Sequence, residues 1–300
     1  MITPKPDARP LSAILWMLGS GISFVGVTGI VRYLGTDLPA AQSAFVRFAW
    51  GVVILAPALF GMLRSGVPFQ HLRLHLGRGL AHVGAVVCWF YAMARIPVAE
   101  VTAIGYLNPV LLTLGTVVFF GERLATRRVV AIAVALLGAL IILRPGLREV
   151  TQGHLAQVCA AAFFAGSYLF AKRLSDLVGA GQIVAMLSLV VTLVLAPLAW
   201  WVWVPMTLAQ LAWLAVVAAC ATGGHYCMSR AFAAAPISVS QPVVFLQLVW
   251  ATILGLAVFG EAVDPFVLLG GAIIVGAISW LTLREAAVAR QSRRVAREMS

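Results

Sequence analysis

Charge is what this sequence has least of. Asp, Glu, Lys and Arg make up 10% of its 300 residues, whereas a soluble domain carries about 25%. So thin a supply cannot clothe a surface that faces water. Alternating apolar and polar segments of about 10 residues, the mark of a membrane barrel, are missing too, and the apolar stretches run long and unbroken. The chain is 62% hydrophobic with a mean hydropathy of +1.01, which makes lipid its solvent. Backbone N–H and C=O groups in hydrocarbon must pair internally, and without a barrel that leaves α-helices.

Other absences narrow the function. No Walker loop, paired-carboxylate site or metal-spaced cluster occurs, which disfavours an ATP-driven pump or a membrane hydrolase, and no cofactor or metal is expected. The four cysteines, Cys88, Cys159, Cys220 and Cys227, all fall in apolar segments without disulfide or zinc spacing and read as small hydrophobes. Acidic residues are absent from the middle of every apolar stretch, Glu100 coming closest. Strong proton or sodium coupling leans on such a group, so facilitated diffusion or weakly coupled exchange is expected. The net charge of +11 does not indicate nucleic acid, because the basic residues lie between or just beyond apolar segments, beside lipid headgroups.

A span needs roughly 20 apolar residues, and the charges divide the chain accordingly. Spans are predicted at 11–32, 40–63, 79–94, 101–121, 129–143 and 153–171. The uncharged stretch 177–229 divides at Trp203-Val204-Pro205-Met206-Thr207 into a seventh and an eighth, and 238–260 and 265–283 complete an all-α transmembrane fold of ten helices. Residues 10–31 lack a clear cleavage site, so they read as a retained helix rather than a signal peptide. Of the 21 Lys and Arg, Arg47 lies inside a span, and only Arg32, Arg95, Arg144 and Arg148 fall in the alternate set of loops. The positive-inside bias then puts both termini in the cytoplasm, with the arginine-rich tail 287–300 on the lipid surface.

A shift of 139 residues lays Pro97 on Pro236 and Gly121-Glu122 on Gly260-Glu261, and a shift of 140 lays Leu55-Ala56-Pro57 on Leu195-Ala196-Pro197. Five helices per copy is odd, so the second copy enters the membrane upside down: two inverted five-helix repeats, 1–147 and 148–286. Inverted repeats around a central site characterise secondary transporters.

The run Ile96-Pro97-Val98-Ala99-Glu100, Asn108-Pro109, Phe120-Gly121-Glu122-Arg123-Leu124, Gly138 and Arg144-Pro145-Gly146, with a second copy at Ala235-Pro236 to Phe259-Gly260-Glu261, resembles the EamA family of the drug/metabolite transporter superfamily. The likeness spans roughly 10–285, although Leu248 stands where the first copy has Pro109. It implies a bacterial inner-membrane carrier working by alternating access. The family includes YddG-type amino-acid exporters as well as riboflavin and S-adenosylmethionine carriers. Export of amino acids or related metabolites is the first expectation and uptake of a cofactor-like solute the second. A non-transporting scaffold or lipid-modifying enzyme is the reading from another class. Partners are a small-molecule substrate and the bilayer, with the chain a monomer or weak homodimer.

Helical spacing groups the polar and aromatic residues that would line a path. These are Trp16, Ser20 and Ser23; His82 and Trp89; Thr102, Tyr106, Pro109 and Thr113; Gln157, Phe164 and Tyr168; Thr222, His225 and Ser229, with Tyr226 adjacent; Gln247 and Trp250. Asn108 is taken as a further contact. An aromatic, hydrogen-bonding, uncharged wall would suit an amphipathic solute with a ring. The alternatives are interfacial anchoring for Trp16 and Trp250, and bonds to neighbouring helices or to the residue's own turn for Ser, Thr and His. Arg47 either binds a substrate carboxylate or caps helix-end carbonyls. Pro97, Pro109, Glu122, Pro236 and Glu261 are expected at gates and turns.

Overall fold

The computed structural model describes residues 10–66, 69–120, 126–147, 149–175, 177–234, 243 and 246–298. The helices described are α1 (Pro10–Leu34), α2 (Ala40–Ile54), α3 (Ala56–Ser65), α4 (Phe69–Met93), α5 (Val98–Gly105), α6 (Leu107–Phe120), α7 (Thr126–Leu143), α8 (Gln152–Ser175), α9 (Ala180–Trp201), α10 (Leu208–Ala234), α11 (Leu246–Phe259) and α12 (Pro265–Glu298). Among the described residues no strand occurs. Seven helices are each long and apolar enough to cross a membrane, and the pair α2–α3 makes an eighth if it is one bent span. The shorter apolar helices α5–α6 and α11 fall where the remaining two spans are expected. Glu122 and Pro236 lie outside the described residues.

Local chemistry sets the helix boundaries. Asp264 caps α12 by accepting the Phe266 N–H at 2.9 Å, with Pro265 in the first helical position, where its missing N–H costs nothing. Thr207 and Gln210 form a reciprocal capping box at the start of α10, through Thr207 N–H to Gln210 Oε1 at 2.9 Å and Gln210 N–H to Thr207 Oγ1 at 3.2 Å. Two expected continuous spans are broken instead. The span at 40–63 bends by 69° between α2 and α3, because the ring of Pro57 cannot sit beside the carbonyl four residues back. The span at 101–121 starts at Val98 and breaks at Tyr106, where Pro109 would otherwise crowd the Gly105 carbonyl. Pro197, the repeat counterpart of Pro57, stays inside α9. The third span starts well before residue 79: Arg78 is a buried residue of α4, not a loop charge, and its Nη1 donates to the Ile183 carbonyl at 3.0 Å.

The packing pairs recur in order. α4 packs on α8 and α1 on α10; α4 also meets α9 as α10 meets α2; α2 with α9 and α7 with α12 complete the bundle. On the outside Leu193, Val258 and Leu137 stay exposed, as lipid-facing side chains do. Trp200 and Trp201 are 83% and 86% exposed beside the α9–α10 turn, the position of an interfacial aromatic belt. α7 and α12 approach so closely that a Cβ on Gly138 would lie 2.7 Å from the Gly270 carbonyl oxygen. Only glycine fits there.

Candidate functional site

A cavity of about 290 Å³ lies among α1, α2, α4, α5, α6, α8, α10 and α11, at the lower end of the roughly 300–1,000 Å³ of small-molecule pockets. Its wall is largely aromatic. The Phe164 ring stacks on Tyr168 (centroids 6.2 Å) and meets Trp89 (5.8 Å) and His82 (5.2 Å) edge-on. His82 also meets Phe48 edge-on at 5.8 Å, and His225 meets Phe24 at 5.0 Å. Edge-to-face pairs of this kind hold rings at fixed angles, each worth about 0.5–1.5 kcal/mol beyond burial.

Of the residues singled out from the sequence, Ser20, Arg47, His82, Trp89, Thr102, Tyr106, Asn108, Gln157, Phe164, Tyr168, His225, Gln247 and Pro109 line this cavity. Trp16, Ser23, Thr222, Tyr226 and Trp250 are not among the wall residues. The face of α1 that reaches the cavity is Met17, Ser20, Gly21, Phe24 and Thr28, one residue round the helix from the predicted stripe. Trp16 meets Tyr226 edge-on at 6.0 Å, and the Arg230 guanidinium lies 5.2 Å from the Trp16 ring and bonds the Tyr226 hydroxyl at 3.0 Å. Trp250 is partly exposed on the outside of α11. Thr113 belongs to α6 and Ser229 to α10, but their side chains lie outside what the structure describes. The sequence reading passed over Phe24, Phe48 and Phe90, whose lack of polar atoms made them look like ordinary core.

Several hydroxyls bond within their own helix, as the alternative reading had it. Thr102 Oγ1 donates to the Val98 carbonyl at 3.0 Å and Thr28 Oγ1 to that of Phe24 at 3.1 Å. His82 Nδ1 lies 3.1 Å from Ser167 Oγ. The Arg47 guanidinium carbon lies 3.8 Å from the Phe48 ring centre. Among the described residues Arg47 makes neither a hydrogen bond nor an ion pair, so the helix-capping alternative finds no carbonyl there.

Polar ties gather at one end of the bundle, at the C-termini of α1, α4, α7, α9 and α11 and the N-termini that follow them. Glu261 accepts Arg32 Nε at 3.1 Å and the Val98 N–H, the first of α5, at 2.9 Å. Arg32 Nη1 also donates to the Ala94 carbonyl at 3.0 Å. Gly260, at φ +63°, reverses the chain so that the Glu261 N–H reaches the Gly255 carbonyl at 2.9 Å; a Cβ in that left-handed region is strained. Arg144 pairs with Asp264. Gln42 holds the α9–α10 turn by donating to the Val204 carbonyl and accepting its N–H, both at 2.9 Å. His154 Nδ1 accepts the Thr151 N–H at 3.1 Å, so its proton sits on Nε2 and donates to Glu100 at 2.6 Å. Among the described residues no group of His, Cys, Asp and Glu is arranged to hold a metal ion.

A bundle of apolar helices around a solute-sized aromatic hollow is the build of a multi-pass membrane protein. The chain belongs to the EamA-like transporter family, whose model matches it twice, at residues 11–144 and 151–283. It is 29% identical over 297 residues to the riboflavin transporter of Vibrio cholerae, covering 96% of this chain and 98% of that one. It is 28% identical to the pseudopaline exporter of Pseudomonas aeruginosa (88% and 93% covered) and 27% identical to the S-adenosylmethionine uptake transporter of Rickettsia felis (92% and 94%). The fold also matches a solved crystal structure at a TM-score of 0.58, with 21% identity over 93% of this chain and 96% of the other.

Proposed function

We propose that this protein is a secondary carrier, not an enzyme, that moves a small ring-bearing metabolite through the central cavity by alternating access. The observation that carries this reading is the cavity itself: a walled, solute-sized hollow lined by rings, hydrogen-bonding groups and one arginine from helices of both halves. The halves are the repeats 1–147 and 148–286, with 287–300 as a basic tail. Their helix contacts exchange under a swap of copies, α4–α8 for α10–α1 and α4–α9 for α10–α2, which is what a twofold axis between them requires. Five spans per copy make that axis lie in the membrane plane. The basic loops put both termini on the cytoplasmic side of a bacterial inner membrane, and the ties around Glu261 then lie on the outer side.

The cavity wall residues named above are the substrate contacts. Export of an amino acid or related metabolite fits the volume, and one relative is named as an exporter. Uptake of a larger cofactor-like solute is the second reading, favoured by similarity over almost the whole chain to a riboflavin transporter. Uptake and counterflow in proteoliposomes, with radiolabelled aromatic amino acids and riboflavin and with or without a pH gradient, tests the proposal. Saturable flux of a ring-bearing solute, little changed by the gradient, is expected. No flux of any of them in either direction counts against it.

A further inference from the structure

Arg47 is out of place in a cavity otherwise free of charge. A guanidinium inside a membrane bundle is costly unless it pairs or reaches water. The chain has ten acidic residues, and none is among the cavity's wall residues. Glu100 faces His154, Glu261 is tied to Arg32 and Asp264 to Arg144. The rest, Asp7, Asp37, Glu122, Glu149, Asp176, Glu285 and Glu298, all fall outside the apolar stretches of the sequence. The segment 235–245, which leads into α11, contains no Asp or Glu either. Among the described residues no carboxylate pairs with Arg47.

The way Arg47 is held matters as much. Its carbon Cζ lies 3.8 Å from the centre of the Phe48 ring. Among the described residues the Arg47 N–H groups find no hydrogen-bond acceptor. They form the planar fork that receives a carboxylate in two parallel bonds. Phe48, Trp89 and Phe164 stand in the same cavity and give a flat ring something to lie against.

We infer that the cavity takes a small organic anion, a ring-bearing carboxylate whose charge is neutralised by Arg47 and whose ring lies among Phe48, Trp89 and Phe164. This rests on reading the cavity as the carrier's binding site. It also sets a charge rule: a neutral analogue binds less well, and a cationic one is repelled because no acidic wall residue offsets the guanidinium.

The test is calorimetric binding to the full-length protein in detergent micelles, with three probes of the same ring and chain length: 3-phenylpropionate, 3-phenylpropanamide and 3-phenylpropylamine. The carboxylate is expected to bind about tenfold or more tightly than the amide, as a charge-assisted bond gives, with no measurable binding of the amine. Arg47→Gln should level the acid with the amide, and Arg47→Lys, which keeps charge without the fork, should keep part of the preference. Amide or amine binding as tightly as the acid to the unmutated protein, or no binding of the acid at all, overturns the inference whether or not the variants fold. Flux is read separately in proteoliposomes. Acid-selective binding without flux leaves the site and removes the carrier; flux without acid selectivity removes the site and leaves the carrier.

Discussion

Phe164 touches more of the cavity's aromatic wall than any single polar group does, because it meets His82, Trp89 and Tyr168 at once. Phe164→Ala removes three ring contacts and lets the neighbours relax into the hollow. At about 0.5–1.5 kcal/mol per pair, part of which the solute's own ring contributes, KM should rise about tenfold with kcat less affected. Initial-rate flux in proteoliposomes measures this, and an unchanged KM removes the ring wall from substrate binding. Glu261 is the counterpart at the end of the bundle where the polar ties gather. A carboxylate accepts the Arg32 guanidinium and the Val98 N–H on separate oxygens, and glutamine supplies only one acceptor oxygen. Glu261→Gln should weaken that closure by about 1–3 kcal/mol, less the screening that the part-exposed Arg32 permits. A cysteine introduced by Thr102→Cys should then react faster with a membrane-impermeant maleimide added from that side. An unchanged rate makes Glu261 a turn-former only.

At the scale of elements, the two broken spans have different jobs. Tyr106 and Pro109 line the cavity at the α5–α6 break, whereas the bend before Pro57 turns α3 aside to bury Leu59 and Met62 against α9. Pro109→Ala restores a backbone donor and lets α5 run into α6. Thermal stability should hold or rise while flux falls severalfold, and a variant with full flux makes the break incidental. Gly138→Leu drives a side chain into the Gly270 backbone. Overpacking costs about 1–3 kcal/mol or more, so the detergent-solubilised protein should unfold several degrees lower; no loss of stability contradicts the close contact of α7 and α12. The all-helical fold and about half of the wall residues were legible because apolar run length and three-to-four residue spacing are local properties. The breaks were less so, since Pro57 and Pro109 interrupt helices while Pro197 does not, and tertiary contacts decide between those outcomes. The stripe on α1 was drawn one position off, through Trp16 rather than Met17, because polarity was taken to mark the inner face. The structure turns Ser23 onto its own Gly19 carbonyl at 2.7 Å instead.

For the molecule as a whole, the arrangement is a hollow with polar ties gathered at one end. The ties described at the Glu261 end join α1, α4, α5 and α11 with one another and α7 with α12, and Gln42 bonds the α9–α10 turn. Towards the far ends of the helices Arg78 donates to the Ile183 carbonyl. Alternating access requires that each end open in turn, so that a cavity wall residue meets water from each side. The direct measurement is thiol labelling of Ser20→Cys, in a chain whose own four cysteines are replaced by alanine, reconstituted in one orientation and challenged with an impermeant maleimide from each side separately. The account predicts labelling from both sides, with substrate protecting in both experiments. Labelling from neither side, or from one side alone whatever solute is present, would contradict a carrier built around this cavity.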